Sequence, residues 1–293
     1  MIKQGLIVSS YGRQFIVRID SKDYQAVTKS KKTDYVVGDL VNANYINEEQ
    51  VQILDCTSRS SLIYRSDHNR TKIIASNVNQ ILIVIAIKPT FNPQFLNRCL
   101  VCAEAEKITP IIIINKSDLL ESKNFITKIT SLYQLKLGYN VITLEAQKDC
   151  EKLLPLLEQK NSLLIGQSGV GKSTIINQIV PRANARIGEI TKAQTSGSHT
   201  TTNATYYQIN KSSSIIDSPG MQEFGLNHLN VTDVIEYFPE FRNYNGTCKF
   251  RNCSHNSEPG CNIKEGFDSG KFDNNRVDLF KLLIQELTMK RSY

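Results

Sequence analysis

The segment GQSGVGKST, residues 166–174, sets three glycines, one lysine and several hydroxyls at the spacing of a phosphate-binding loop. Gly166, Gly169 and Gly171 allow backbone amides to turn toward a phosphate chain, Lys172 brings a point charge to its terminal pair, and Ser173 offers a hydroxyl to Mg²⁺. Gln167, Ser168, Val170 and Thr174 complete the loop and the first turn after it. Upstream stands NKSD, residues 115–118. A carboxylate at Asp118 can accept both the N1–H and the 2-amino group of guanine, whereas adenine has a lone pair at N1 and no 2-amino group. As a bare tetrapeptide, Asn115, Lys116, Ser117 and Asp118 could equally cap a helix. Beside a phosphate loop on the same sheet, they are expected to read a guanine base.

DSPG, residues 217–220, supplies a second acidic end. Asp217 can hold Mg²⁺ through water and the Gly220 amide can meet a γ-phosphate. Between the two loops lies the hydroxyl-rich GSHTTTNA, residues 197–204, where one of Thr200, Thr201 and Thr202, with Thr201 the candidate, completes the Mg²⁺ shell. Further on, Cys248, Cys253, His255 and Cys261 form C-x4-C-x-H-x5-C. Three thiolates and an imidazole make a Zn²⁺ set, and four protein ligands leave no open position, so the site is expected to be structural, one ion per chain. Cys99 and Cys102 also read C-x2-C, but they sit among Leu96, Leu100, Val101 and Ala103 in a helix pattern and are expected to be core.

These residues need a scaffold. From residue 80 the chain alternates apolar runs with helical stretches: strands at 81–87, 110–114, 140–144 and 162–165, helices at 93–108, 122–137 and 150–158, then strands at 205–209 and 213–216. Such buried runs imply a parallel sheet covered on both faces. Before it, short strands at 5–10, 14–20, 24–28, 35–44 and 50–56 suit a small OB-fold barrel. The polar stretch TSRSSLIYRSDHNRTK, residues 57–72, looks like a linker, and a helix is expected over 275–290. The fold class is therefore an α/β P-loop GTPase domain at 66–225, preceded by a β-barrel at 1–65 and followed by a zinc-binding domain at 226–293. A base-reading motif normally follows the phosphate loop; here it precedes it, so the domain is expected to be circularly permuted. Surface termini make such rejoining tolerable. DSPG then leads straight into the C-terminal region, which GTP state should move.

The 293 residues carry 35 basic and 28 acidic side chains, for a net charge of +7. The excess is dispersed: ten against eight over the first 70 residues, sixteen against thirteen over 71–239, nine against seven beyond. Nucleic-acid contact is permitted rather than demanded by such a balance. The longest apolar run, ILIVIAI at 81–87, falls far short of the roughly 20 residues of a spanning helix, which excludes an integral membrane protein built of helices. With no apolar leader in MIKQGLIVSSYGRQF and seven cysteines, an odd number, a cytoplasmic chain of thiols and metal ligands is expected rather than a disulfide framework.

NKSD before GQSGVGKS, the HTTT of residues 199–202, DSPGMQEFGL and the Cys/Cys/His/Cys knuckle together resemble the RsgA family of circularly permuted GTPases, which act in small ribosomal subunit maturation. The resemblance spans essentially the whole chain. It implies an OB-fold and a zinc domain both on ribosomal RNA, and a catalytic role for His199 that the pattern alone does not assign. Where many small GTPases place a water-orienting glutamine after DxxG, this chain has Met221, so slow intrinsic hydrolysis is expected. Glu145-Ala146 departs from the usual Ser-Ala facing guanine O6, leaving backbone amides for that contact. The implied function is a GTP-hydrolysing factor in late maturation of the small ribosomal subunit, stimulated by the subunit. Its partners would be that subunit, its rRNA and GTP/GDP, with no membrane and the chain a monomer. The alternative is a GTP-sensing, RNA-binding regulatory protein whose hydrolysis is incidental.

Overall fold

Alternating side chains close the N-terminal residues into a barrel. A computed structural model describes residues 2–11, 14–29, 34–66, 71–180, 204–218, 224–251, 253, 255 and 258–290. In β2 (Gln14–Ile19) every second residue, Phe15, Val17 and Ile19, points inward, and they meet Ile7 of β1 (Ile2–Tyr11), Ala26 of β3 (Lys22–Thr28), Val41 and Ala43 of β4 (Leu40–Tyr45), and Val51 and Ile53 of β5 (Gln50–Cys56). The strands run in the order β1-β2-β3-β5-β4, and β4 pairs back onto β1, giving the five-stranded barrel expected. Only β3 and β5 are parallel.

Two expectations fail at the barrel's exit. The fourth strand begins at Leu40 rather than at residue 35, because the Asp39 carboxylate, with no solvent exposure, folds 34–39 around itself. It accepts from the Val36 amide at 2.9 Å, from the Ser76 hydroxyl at 2.6 Å, and from two Arg59 nitrogens at 2.7 Å each. A Cβ on Gly38, whose φ is +97°, would lie 2.2 Å from the Ser76 carbonyl oxygen, so glycine is required there. The supposed linker at 57–72 holds a strand, β6 (Leu62–Ser66), and the start of its antiparallel partner β7 (Thr71–Ser76). Ile63 and Ala75 are fully buried, and the many polar residues around them hide a half-buried hairpin.

The second sheet is built from β8 (Gln80–Ile85), β9 (Thr109–Ile114), β10 (Asn140–Thr143), β11 (Asn161–Gly166), β12 (Thr205–Gln208) and β13 (Ser214–Asp217), in the order β10-β9-β8-β11-β13-β12. All are parallel except β12, whose Thr205 pairs with Ser9 of β1 and joins the sheet to the barrel. Helix α1 (Pro93–Ala105) starts where the Asn92 side chain accepts from the Gln94 and Phe95 amides, with Pro93 in the first turn. It buries Cys99 and Cys102 completely, as expected for core residues. Helix α2 (Ser122–Ile129) continues into a wider π turn over Thr130–Lys136, within the helix expected at 122–137. On the opposite face lie the short α3 (Leu154–Leu157) and α4 (Lys172–Ile179).

After Phe224 the chain crosses α1 in short turns, Val231–Tyr237 and Arg242–Tyr244, and ends in α5 (Asn262–Asp268) and α6 (Asn274–Lys290). Phe238 and Phe241 stack at 5.1 Å, and Phe280 of α6 meets both edge-on. These rings share one continuous core with α1, so the C-terminal residues are packed onto the nucleotide-type sheet rather than tethered to it.

Candidate nucleotide-binding site and metal centre

Because β9, β11 and β13 run parallel, the three sequence motifs emerge from one edge of the sheet. That edge, beyond the carboxyl ends of the strands, is where open α/β sheets bind ligands. NKSD follows Ile114, the phosphate loop follows β11, and β13 ends at Asp217. The structure therefore assembles Asn115, Lys116, Ser117 and Asp118 beside Gly166, Gln167, Ser168, Gly169, Val170, Gly171, Lys172, Ser173 and Thr174, with Asp217 adjoining.

Hydrogen bonds lock the loops together. Asn115, buried, donates from Nδ2 to the Val170 carbonyl at 2.8 Å and accepts on Oδ1 from the Ala146 amide at 3.0 Å. Lys116 donates from Nζ to the Gly169 carbonyl at 2.8 Å and to the Lys88 carbonyl at 3.0 Å. A Cβ at residue 171 would lie 2.1 Å from Asn115 Nδ2, and one at residue 166 would lie 2.5 Å from the Val84 carbonyl oxygen. Two of the glycines read as phosphate ligands thus also keep the loop pressed against its neighbours. Gly169 and Gly171 sit at φ +79° and +104°. Ser117 is half-buried, whereas Asp118 and Ser173 are exposed and open to a ligand.

Charge converges at the loop's base. Burial lowers the Lys172 ammonium below the ordinary lysine range, against the pull of Asp217. Its Nζ donates to the Gly166 carbonyl at 2.9 Å and the Gln167 carbonyl at 3.2 Å. Burial likewise pushes the Asp217 carboxyl up to about 6, with Lys172 opposing. Asp217 Oδ1 is buried without a hydrogen-bond partner among the described residues. An orphaned carboxylate oxygen beside a phosphate loop fits a hydrated Mg²⁺. His199, Thr200, Thr201, Thr202, Gly220 and Met221 lie outside the described residues. The amides of Glu145 and Ala146, offered by the sequence for guanine O6, are engaged, donating to Asp149 Oδ1 at 2.7 Å and to Asn115.

Residues 56–227 match the family model described as RsgA GTPase. A Neisseria meningitidis protein named "Small ribosomal subunit biogenesis GTPase RsgA" is 43% identical over 282 residues, 96% of this chain and 91% of its own. The chain belongs to the RsgA GTPase family. A Nitrosospira multiformis member of the same name is 42% identical over 98% of this chain and 92% of its own. Two solved structures share the fold along nearly the whole length. One, YjeQ from Thermotoga maritima, has a TM-score of 0.72 at 23% identity, covering 98% of this chain and 99% of its own. The other, YloQ, described as a circularly permuted GTPase, has a TM-score of 0.69 at 24% identity, covering 99% and 96%. The family fold is a circularly permuted P-loop domain, which accounts for NKSD on β9 preceding the phosphate loop on β11.

The second constellation forms a compact knot. Ligand atoms of Cys248, Cys253, His255 and Cys261 all lie within 4.8 Å of one another. Cys248 and Cys261 sulfurs stand 3.9 Å apart, and His255 Nδ1 is 3.5 and 3.6 Å from them. A tetrahedron with Zn–S arms of about 2.3 Å has edges of roughly 3.7 Å, which the separations among Cys248, Cys261 and His255 match, so the donor set fits Zn²⁺. Gly260, at φ +72°, turns the chain so that the Lys249 amide meets its carbonyl at 3.0 Å and Cys261 returns to the cluster. The Cys261 sulfur also accepts from the Lys264 amide at 3.4 Å, capping α5. Burial, helped by hydrogen bonds with Cys261 and Cys248 and opposed by one with the His255 backbone, pushes the Cys253 thiol up to about 12. Three crowded thiols ionise together only when a cation binds them.

Proposed function

We propose that this protein is a GTP-hydrolysing assembly factor that acts in late maturation of the small ribosomal subunit and turns over faster on that subunit. The supporting observation is the single sheet edge at which an exposed guanine-type carboxylate, Asp118, a phosphate loop and an orphaned buried carboxylate, Asp217, converge. The relatives' name, small ribosomal subunit biogenesis GTPase, supplies the partner. Mg²⁺ entering with GTP would supply positive charge to offset that of the phosphates. In this reading Asp118 takes the guanine donors, while Lys172 and the loop amides of 166–174 hold the phosphates. Ser173, Thr201 and Asp217 surround the cation, Gly220 meets the γ-phosphate, and His199 orients the attacking water. The division into 1–65, 66–225 and 226–293 is proposed with it, the first boundary falling inside β6. Among the described residues no helix is long and apolar enough to cross a membrane. We place the protein in the cytoplasm, as a monomer bound to the subunit and its rRNA.

The test is GTP turnover with and without purified small subunits. Stimulation by subunits but not by arbitrary RNA is expected. Turnover indifferent to both would favour the regulatory alternative. His199→Ala should lose most of the stimulated rate while GTP affinity stays within a few fold; equal stimulated turnover would remove His199 from the mechanism.

A further inference from the structure

One buried hydroxyl beside the phosphate loop has no part in the scheme above. Strands β11 and β13 pair in parallel, from Asn161 with Ser214 to Leu164 with Asp217, and among the described residues the pairing goes no further. Ser218, the next residue, is only 1% exposed. It places both its donors on one acceptor: the Leu164 carbonyl takes the Ser218 amide at 3.3 Å and the Ser218 hydroxyl at 2.9 Å. Together they fill the two lone pairs of that oxygen. Little is left to extend the ladder. Residue 219 is proline, which brings no N–H, and two residues on along β11 the Gly166 carbonyl takes Lys172 Nζ at 2.9 Å.

The place of this bond decides what it controls. Leu164 lies two residues before Gly166, where the phosphate loop begins, and Ser218 directly follows Asp217. The hydroxyl therefore joins the two backbones where one turns into the loop and the other delivers the carboxylate. Without it the exit of β13 would depend on one amide bond at the long end of the hydrogen-bond range. Asp217 Oδ1 is buried with no hydrogen-bond partner among the described residues, so where that oxygen stands is set by the backbone that carries it. A cation site tolerates displacement of its ligands by only about 0.5 Å. We propose that Ser218 is a positioning residue for Asp217: its hydroxyl, fastened to the Leu164 carbonyl, sets the carboxylate against the phosphate loop for the Mg²⁺ that enters with nucleotide. This rests on the reading of Asp217 as a residue that holds that cation.

The probe is the β,γ-imido analogue of GTP, which is not hydrolysed, bound to the full chain in excess Mg²⁺ and again in chelator. Calorimetry gives both affinities, and their ratio is the gain due to the cation. Ser218→Ala should lower that gain about tenfold, the smaller end of what a group behind a metal ligand contributes, while affinity in chelator stays within about twofold of wild type. Ser218→Thr, which keeps the hydroxyl, should retain most of the gain. Asp217→Asn should lose the gain as well, and adding Ser218→Ala to it should lower the gain little further, because the hydroxyl acts through that carboxylate. A loss in Ser218→Ala that is equal in Mg²⁺ and in chelator would mark a merely structural bond and overturn the inference. A full wild-type gain in Ser218→Ala, or losses that multiply in the double variant, would overturn it too. The alanine comparison decides even where the threonine methyl prevents folding. An Asp217→Asn variant that keeps the full gain would instead sink the reading of Asp217 itself.

Discussion

Asn115 and Val170, on loops that leave different strands, are joined by a buried hydrogen bond of 2.8 Å from the asparagine amide to the valine carbonyl. The same side chain takes the Ala146 amide on its oxygen, so one residue ties three loops. Asn115→Ala would leave a carbonyl and an amide without partners, at about 1–3 kcal/mol each. Its thermal midpoint should fall and its affinity for GDP should drop at least tenfold. A variant with wild-type GDP affinity would show that the loops hold their positions without it.

Asp118, exposed beside this clamp, is the residue proposed to read the base. A site built for two guanine donors should reject adenine by something on the order of 10⁴-fold. Asp118→Asn should weaken GTP and favour xanthine nucleotides, because xanthine reverses the donor at position 2. Competition binding with GTP, ATP and XTP reads this directly; a wild type that binds ATP as well as GTP contradicts it.

Loops of this kind are legible because their chemistry is local. NKSD, GQSGVGKS and the C-x4-C-x-H-x5-C knuckle each place their donors within a few residues, and the strands that carry them are unbroken apolar runs. What escaped the sequence is long-range. Asp39 finds Arg59 and Ser76, twenty and thirty-seven positions away, and no spacing rule announces that pairing. The hairpin β6–β7 was hidden because Ile63 and Ala75 are outnumbered by charged and polar neighbours. The partners of the Glu145 and Ala146 amides, Asp149 and Asn115, are likewise set by loop folding rather than by any spacing rule.

The zinc knuckle should come apart separately from the nucleotide site. Cys253→Ser removes one of four ligands whose atoms crowd within 4.8 Å. Metal analysis should show the zinc lost, with GDP binding largely kept, since the cluster lies on residues 248–261 and the base and phosphate loops on 115–174. Unchanged zinc content would refute the assignment.

Asp217 gives a pH dependence with a definite sign. Its carboxyl is raised from 3.8 to about 6 by burial. A raised carboxyl favours the fold only while protonated, so that contribution is complete below pH 3.8 and lost as pH rises through 6. At pH 7.5, without nucleotide or Mg²⁺, the ionised form costs about 3 kcal/mol. Asp217→Asn should therefore melt higher than wild type in chelator at pH 7.5, the advantage shrinking toward pH 4, while Mg²⁺-dependent GTP binding weakens. A lower midpoint at pH 7.5 would show that the negative charge stabilises the empty site.

Arg276 tests how the C-terminal residues are held. Its guanidinium has no solvent exposure, yet it meets both Glu240 oxygens, at 2.6 and 3.0 Å, and lies 4.5 Å from the centre of the Phe238 ring. It also reaches Asn97 of α1 at 3.5 Å, whose oxygen takes the Tyr133 hydroxyl at 2.9 Å. One cation from α6 thus joins the turns after Phe224 to the helix beneath them. Removing it strands a carboxylate in the core, at about 3–5 kcal/mol, whereas replacing both partners by apolar groups of similar size is often neutral. Arg276→Met should lower the thermal midpoint by several degrees, and adding Glu240→Leu should restore most of the loss. If the double variant is as unstable as the single one, the guanidinium holds α6 through Asn97 and Phe238 rather than through its charge on Glu240.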